Sequence, residues 1–350
     1  MNTITVKTNP SYKIQIGSGL LASCGRRIAE VHPPCHAALI TDDIVDRLYA
    51  KRAIQSLQTA GFTVSKFVFP HGESSKSLST ALDAYEFLTH EGITRSDLIV
   101  ALGGGVVGDL AGFVAATYLR GVAFVQIPTT FLAAIDSSVG GKTAVDIPSG
   151  KNLVGVFWQP NLVLCDIDTL STLGEEIFSE GTAEAVKYGA ILDESLYRLL
   201  ASGKLMEHLE EVICRCVELK RLLVEEDEHD KGRRQLLNFG HTLGHSVENL
   251  SGYTVPHGRA VSIGMALITK ASESLGLTPK GTADNLLQVL HTYRLPVSFD
   301  ATVRQLCDVA LGDKKRHGDS LHFVVLKEIG RAELYPVKVN QLEEFVSHAF

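Results

Sequence analysis

The 350-residue sequence has no apolar run approaching the roughly 18 to 20 residues that cross a bilayer, so no membrane-spanning helix is expected. It has no basic excess either. Lys and Arg number 33 against 40 Asp and Glu, and the net charge of −7 argues against nonspecific binding to nucleic acid or an acidic membrane. Any anionic ligand must therefore meet locally concentrated cations. The chain lacks internal repeats and low-complexity tracts, and its opening MNTITVKTNPSYKIQIG alternates like a strand, without the apolar core of a signal peptide. The six cysteines are scattered. Only Cys214 and Cys216 are neighbours, and their i,i+2 spacing keeps them off a common helix face. These absences point to a reduced, cytoplasmic chain long enough for two packed domains.

What is present has two textures. The first half alternates apolar runs with amphipathic stretches, as βαβ units do. HAALITDD (36–43), FTVSKFVFP (62–70), DLIVALGGG (97–105) and VAFVQIPTT (122–130) read as strands, with helices over 44–61, 75–92 and about 107–119. LVLCDID (162–168) is a further strand-like run. From about Thr172 the patterns are long and helical with few strand signals, so a boundary is placed near residue 170. The charged run EEDEHDKGRR (225–234) reads as a solvated helix-to-loop junction. The expected fold is α/β, with a Rossmann-like nucleotide-binding domain over 1–170 and a mainly α-helical metal- and substrate-binding domain over 171–350.

Within the first domain, LIVALGGGVVGDLAGFVAA carries G-x-G-x-x-G at Gly103, Gly105 and Gly108, after a buried strand and at a helix start. Glycines there let the backbone approach a pyrophosphate, which the helix N-terminus attracts. The motif falls on the third strand of the series, and no acid follows about 20 residues on. A ribose-binding carboxylate is instead Asp42 or Asp43, after an earlier strand; a tight turn without ligand is the simpler alternative. FLAAIDSSVGGKTAVDIPSGKN places Asp136, Lys142, Lys151 and Asn152 among glycines, and HGESSK places Glu73 and Lys76 after a strand. Lysine suits a phosphate, though a solvated hairpin would look the same.

In the second domain, NFGHTLGHSVENLSGYTVPHG raises the question of a metal. His241 and His245, four apart, share a helix face, and His257 begins the next apolar-periodic segment. In GTAEAVKYGAIL, Glu184 and Lys187 lie three apart on an apolar face, where each needs a partner. Two imidazoles and a carboxylate suit catalytic zinc. Spacing does not say which three of the four groups bind it.

Taken together, GGGVVGDLAGFVAATYLRG, IPTTFLAAIDSSVGGKTAVDIPSGKN, GTAEAVKYG, RQLLNFGHTLGHSVE and HGRAVSIGM resemble the 3-dehydroquinate synthase family from about Asp42 to Gly330. The resemblance implies that Glu184, His241 and His257 hold zinc, or cobalt in its place, and that His245 stands beside the substrate. It implies NAD at Asp42, Glu73, Lys76, Gly105, Val106, Val107, Gly108, Asp109, Thr129, Thr130, Lys142, Lys151, Thr169, Leu170, Ser171 and Thr172. Substrate would meet Asp136, Lys142, Asn152, Lys187, Lys220, Arg234, Asn238, His245 and either Lys314 or Lys315, with Arg120 reaching the neighbouring subunit of a homodimer. The implied reaction takes 3-deoxy-D-arabino-heptulosonate 7-phosphate to 3-dehydroquinate and phosphate. It runs by transient oxidation, elimination, re-reduction, ring opening and aldol closure, with no net redox change. Ser246 and Arg316 depart from the family's usual Ala and Asn. Competing expectations are another sugar-phosphate cyclase, a metal-dependent polyol dehydrogenase, and an NAD-binding regulator without activity.

Overall fold

The alternating first half builds a seven-stranded sheet from β1 (Asn2–Val6), β2 (Tyr12–Gly17), β3 (His36–Asp42), β4 (Thr63–Phe69), β5 (Leu98–Gly103), β6 (Ala123–Pro128) and β9 (Leu162–Asp166). The computed structural model describes residues 1–312, 316–317 and 319–350; Lys314 and Lys315 lie outside these. The sheet order is β1-β2-β9-β6-β5-β3-β4, parallel except for the β1–β2 edge pair. Every residue of β5 and β9 is buried, because apolar clusters cover both sheet faces.

The chain runs from β3 outward to β4 and then returns to the other side of β3 for β5. That reversal between β3 and β5 is where ligands of open parallel sheets bind, outside the carboxyl ends of the strands. The glycine turn follows β5 there, and the helix Gly105–Thr117 starts from it. Glycine suits the turn because neighbouring side chains crowd it. A Cβ on Gly104 would lie 2.9 Å from the Thr130 methyl, and one on Gly108 would lie 2.9 Å from Gln126 Oε1.

The glycine-rich stretch before β9 is a one-turn helix, Ala133–Ser137, and then an antiparallel hairpin. Its strands are β7 (Lys142–Ile147) and β8 (Gly150–Phe157). Residues 1–173 and 220–229 form one compact unit, and 174–219 with 230–350 form the other. A single cut near residue 170 would have put 220–229 with the later segment.

The second unit is mainly helical, with long helices Glu175–Leu192 and His257–Ser274 flanking the shorter His241–Leu250. It also contains a three-stranded sheet of β10 (Arg316–His317), β11 (Ser320–Glu328) and β12 (Arg331–Lys338), which the helical texture concealed. The β11–β12 hairpin turns at Gly330, whose φ of +87° favours glycine, and its N–H donates to the Ala190 carbonyl at 2.8 Å. No described helix is long and apolar enough to cross a membrane.

Candidate functional site

In the second unit, three helices carry the groups that spacing had left undecided. Glu184 lies midway along Glu175–Leu192, His241 opens the helix to Leu250, and His257 opens the helix to Ser274. Glycines allow these helices to meet backbone to backbone. A Cβ on Gly258 would lie 2.3 Å from the Glu180 carbonyl oxygen, and one on Gly264 would lie 1.9 Å from that of Gly240. Gly240 itself has φ +77° and starts the His241 helix from a conformation that other residues resist.

The result is a compact donor set. Glu184 Oε1 is 3.5 Å from His241 Nε2 and 3.6 Å from His257 Nε2. Two ligands of one tetrahedral zinc ion are separated by roughly 3.4 Å, given bonds of about 2.1 Å, so this spacing fits such an ion. The Glu184 side chain is fully buried, and neither oxygen makes a hydrogen bond among the described residues; the Lys187 ammonium touches Oε2 as an ion pair. A buried carboxylate is costly without strong partners, and with Lys187 at Oε2 the two imidazoles facing Oε1 form a donor set that suits a metal cation. His245 lies outside this set, its ring centre 5.7 Å from that of His241, and is 38% exposed. Of the two histidines four apart, one joins Glu184 and the other does not.

Arg234 is 1% exposed and precedes Asn238 on the turn Arg233–Asn238. The charged run 225–234 is thus not wholly solvated, since its last residue is buried. Ser246, where Ala was expected, is fully buried and donates to the Leu306 carbonyl at 2.9 Å, tying its helix to Val303–Leu311. The side chain of Arg316 and both Lys314 and Lys315 fall outside the described structure.

In the first unit, the strand ends hold the residues expected to take a nucleotide. Asp42 ends β3, and its Oδ1 accepts from the N–H groups of Ile44 and Val45. It, and not Asp43, stands at the strand terminus; Asp43 pairs with His71 at 2.8 Å. Gly105, Val106, Val107, Gly108 and Asp109 form the first turn and a half of the helix after β5, with Val107 buried under the turn. After β6, the Thr129 hydroxyl is buried with no hydrogen-bond partner among the described residues, an orphan that a bound polar ligand would satisfy. Thr130 accepts from the Ala133 N–H at 3.2 Å.

Thr169, Leu170, Ser171 and Thr172 form a turn after β9. Tyr49, which sequence reasoning missed, donates to the Thr169 carbonyl at 2.9 Å and meets the Thr172 hydroxyl at 2.6 Å. Its place inside a helical pattern gave no separate signal.

Lys76 is the electrostatic centre of this unit. It is 4% exposed, with Glu73 at 2.9 Å, Asp109 at 3.4 Å and Asp146 at 3.8 Å. Burial alone would lower its pKa, but the three carboxylates outweigh it and push it up. Burial pushes the Asp109 carboxyl up to about 6 against the pull of Lys76. Burial also favours the protonated form of Glu73, but Lys76 and Lys151 overcome it and its pKa falls. Lys151 lies 3.8 Å from Glu73, on the hairpin with exposed Lys142 and Asn152. Asn152 has φ +54°, and its N–H donates to Asp146 Oδ1 at 2.7 Å. Lys220 is buried, donating to the Asp136 carbonyl at 2.7 Å and pairing with its carboxylate. Arg120 is exposed, and it and Leu119 adopt left-handed backbone at φ +68° and +50°.

Residues 66–180 match the family model of the 3-dehydroquinate synthase N-terminal region, and 181–316 match that of its C-terminal region. A 3-dehydroquinate synthase from Enterococcus faecalis is 45% identical over 99% of this chain and 98% of its own. Among solved structures, a 2-deoxy-scyllo-inosose synthase bound to carbaglucose-6-phosphate, NAD+ and Co2+ superposes with TM-score 0.89 at 26% identity, covering 99% of each chain. A 2-epi-5-epi-valiolone synthase from Streptomyces hygroscopicus with NAD+ and Zn2+ gives 0.88 at 27%, covering 97% of this chain and 96% of its own. On the two family models and the full-length relative together, the chain belongs to the 3-dehydroquinate synthase family.

Proposed function

We propose that the chain converts 3-deoxy-D-arabino-heptulosonate 7-phosphate to 3-dehydroquinate and phosphate, as an NAD- and divalent-metal-dependent lyase. The observation that carries this reading is the buried Glu184, whose Oε1 faces two imidazole Nε2 atoms, in a member of this family. Glu184, His241 and His257 would hold the metal. Asp42, the glycine turn, Thr129, Thr130 and the 169–172 turn would hold NAD. When bound, NAD supplies a reversible hydride acceptor and the metal supplies Lewis acidity toward neighbouring substrate oxygens.

The chain's own groups do the rest. Lys142, Asn152, Lys187, Lys220, Arg234 and Asn238 bind and orient a substrate that carries both carboxylate and phosphate, which explains cations in an acidic protein. Lys220 is held in place by Asp136, and Asn152 by Asp146. His245, outside the metal set and part-exposed, is suited to move a proton at a substrate hydroxyl. The protein acts in the cytoplasm as a homodimer, with Arg120 offered to the partner's phosphate site.

Incubation with NAD+, Zn2+ and the heptulosonate 7-phosphate, following phosphate and nicotinamide absorbance together, tests this directly. Stoichiometric phosphate with no lasting rise in the reduced-nicotinamide band is expected. A rise without phosphate makes the protein a dehydrogenase. Neither signal, with turnover of another sugar phosphate, makes it a different cyclase.

A further inference from the structure

The two imidazoles that face Glu184 through Nε2 each have their other nitrogen held. His241 Nδ1 lies 3.1 Å from the Phe239 carbonyl oxygen. A carbonyl only accepts, so Nδ1 carries the proton and Nε2 keeps its lone pair for a metal. At His257 the corresponding place is taken by a carboxylate, with Glu248 Oε2 3.3 Å from Nδ1. The two nitrogens of one ring point to opposite sides. Glu184 and Glu248 therefore divide His257 between them, one on the metal side and one on the proton side.

Glu248 is 3% exposed, a burial that a carboxylate tolerates only with strong partners. The same Oε2 lies 3.9 Å from His245 Nε2. It sits seven residues after His241 and three after His245, on the same face of their helix, a spacing legible in HTLGHSVE.

We propose that Glu248 is the positioning residue of this centre: it accepts the Nδ1 proton of His257, fixing the tautomer and ring orientation that offer Nε2 to the metal. Its negative charge makes His257 a stronger ligand than a neutral acceptor would, and its flank against His245 sets where that ring stands beside the centre. This inference rests on the metal reading above.

The test uses the full-length protein stripped of metal, titrated with Zn2+ against a chromophoric chelator and with Co2+ by its visible spectrum. Wild type is expected to take one ion. Glu248→Ala should bind it about 10- to 100-fold more weakly, with a shifted Co2+ band. Glu248→Gln should fall between, because its amide oxygen still accepts the proton but carries no charge. NAD+ affinity should be the same in all three, and circular-dichroism melts report that they are folded. If Glu248→Ala folds poorly, the near-isosteric Gln variant carries the comparison. Affinity within twofold of wild type and an unchanged Co2+ spectrum in both variants would overturn the inference and leave the metal reading standing. Two ions in wild type and one in the variants would overturn it too, making Glu248 a ligand of a second ion. A wild type that binds no ion removes the metal reading itself.

Discussion

Glu184 and Lys187 show how much rides on single atoms. Both are buried, and each is the other's ion-pair partner one helical turn apart. Lys187→Met leaves a buried carboxylate without its cation, a loss that typically costs about 3 to 5 kcal/mol. We expect that destabilisation in urea melts of metal-free protein, and a clearly smaller one at saturating Zn2+, where a second cation replaces the first. A deficit of equal size with and without Zn2+ would show that no ion reaches Glu184. Asp109 gives a prediction in pH. Its pKa, pushed by burial from 3.8 to about 6, means that the folded protein holds the proton more tightly than the unfolded chain. Its contribution to stability is complete below 3.8 and lost as pH rises through about 6. Asp109→Asn should therefore gain on wild type between about pH 4 and about pH 7.5, by on the order of 2–3 kcal/mol. A constant difference across that range would mean an ionised Asp109 throughout. At this scale the sequence was informative wherever two signals overlapped: His257 is both a histidine and a helix start, and Glu184 is an acid on an apolar face. Tyr49 and Asp146 were silent because each meets partners distant in sequence.

At the scale of elements, the decisive contacts belong to glycine. The helix Glu175–Leu192 takes His257–Ser274 against it at Gly258, and His241–Leu250 is seated at Gly240 and Gly264. Gly264→Ala would place a methyl 1.9 Å from the Gly240 carbonyl oxygen, so the helices must separate. A loss of about 2 to 4 kcal/mol is expected, in the range of overpacked or strained cores, with metal affinity falling alongside. A variant as stable and as metal-avid as wild type would mean that this contact is slack. Elements of the first unit were legible because buried parallel strands are continuous apolar runs; β3, β5 and β6 fall within one or two residues of the sequence reading. The β11–β12 hairpin was not, since SLHFVVLKE, with five of its residues buried, matches a helical segment as well as a strand.

For the whole molecule, strand order is the least legible feature. No local pattern says that β9 inserts between β2 and β6, or that the chain reverses at β3. Those choices are made by long-range pairing, and they place the glycine turn at the reversal. The assembly carries its own prediction. Arg120 is exposed on left-handed backbone, at a cost of about 1 kcal/mol. If it serves a partner's site, Arg120→Ala and His245→Ala proteins, each inactive alone, should regain about a quarter of wild-type activity once their subunits are exchanged. No recovery despite verified exchange would put Arg120 to work within its own chain.

The glycine seating of the three helices has one more consequence. At Gly258 and Gly264 main chain meets main chain, which leaves the helices little room to approach or slide there. If Glu184, His241 and His257 hold the metal, a larger ion has to be met mainly by rotation of these side chains, and both rings have Nδ1 in contact, with the Phe239 carbonyl and with Glu248. Preference among divalent ions is then a property of stiffness, measurable as how steeply affinity falls with ionic radius.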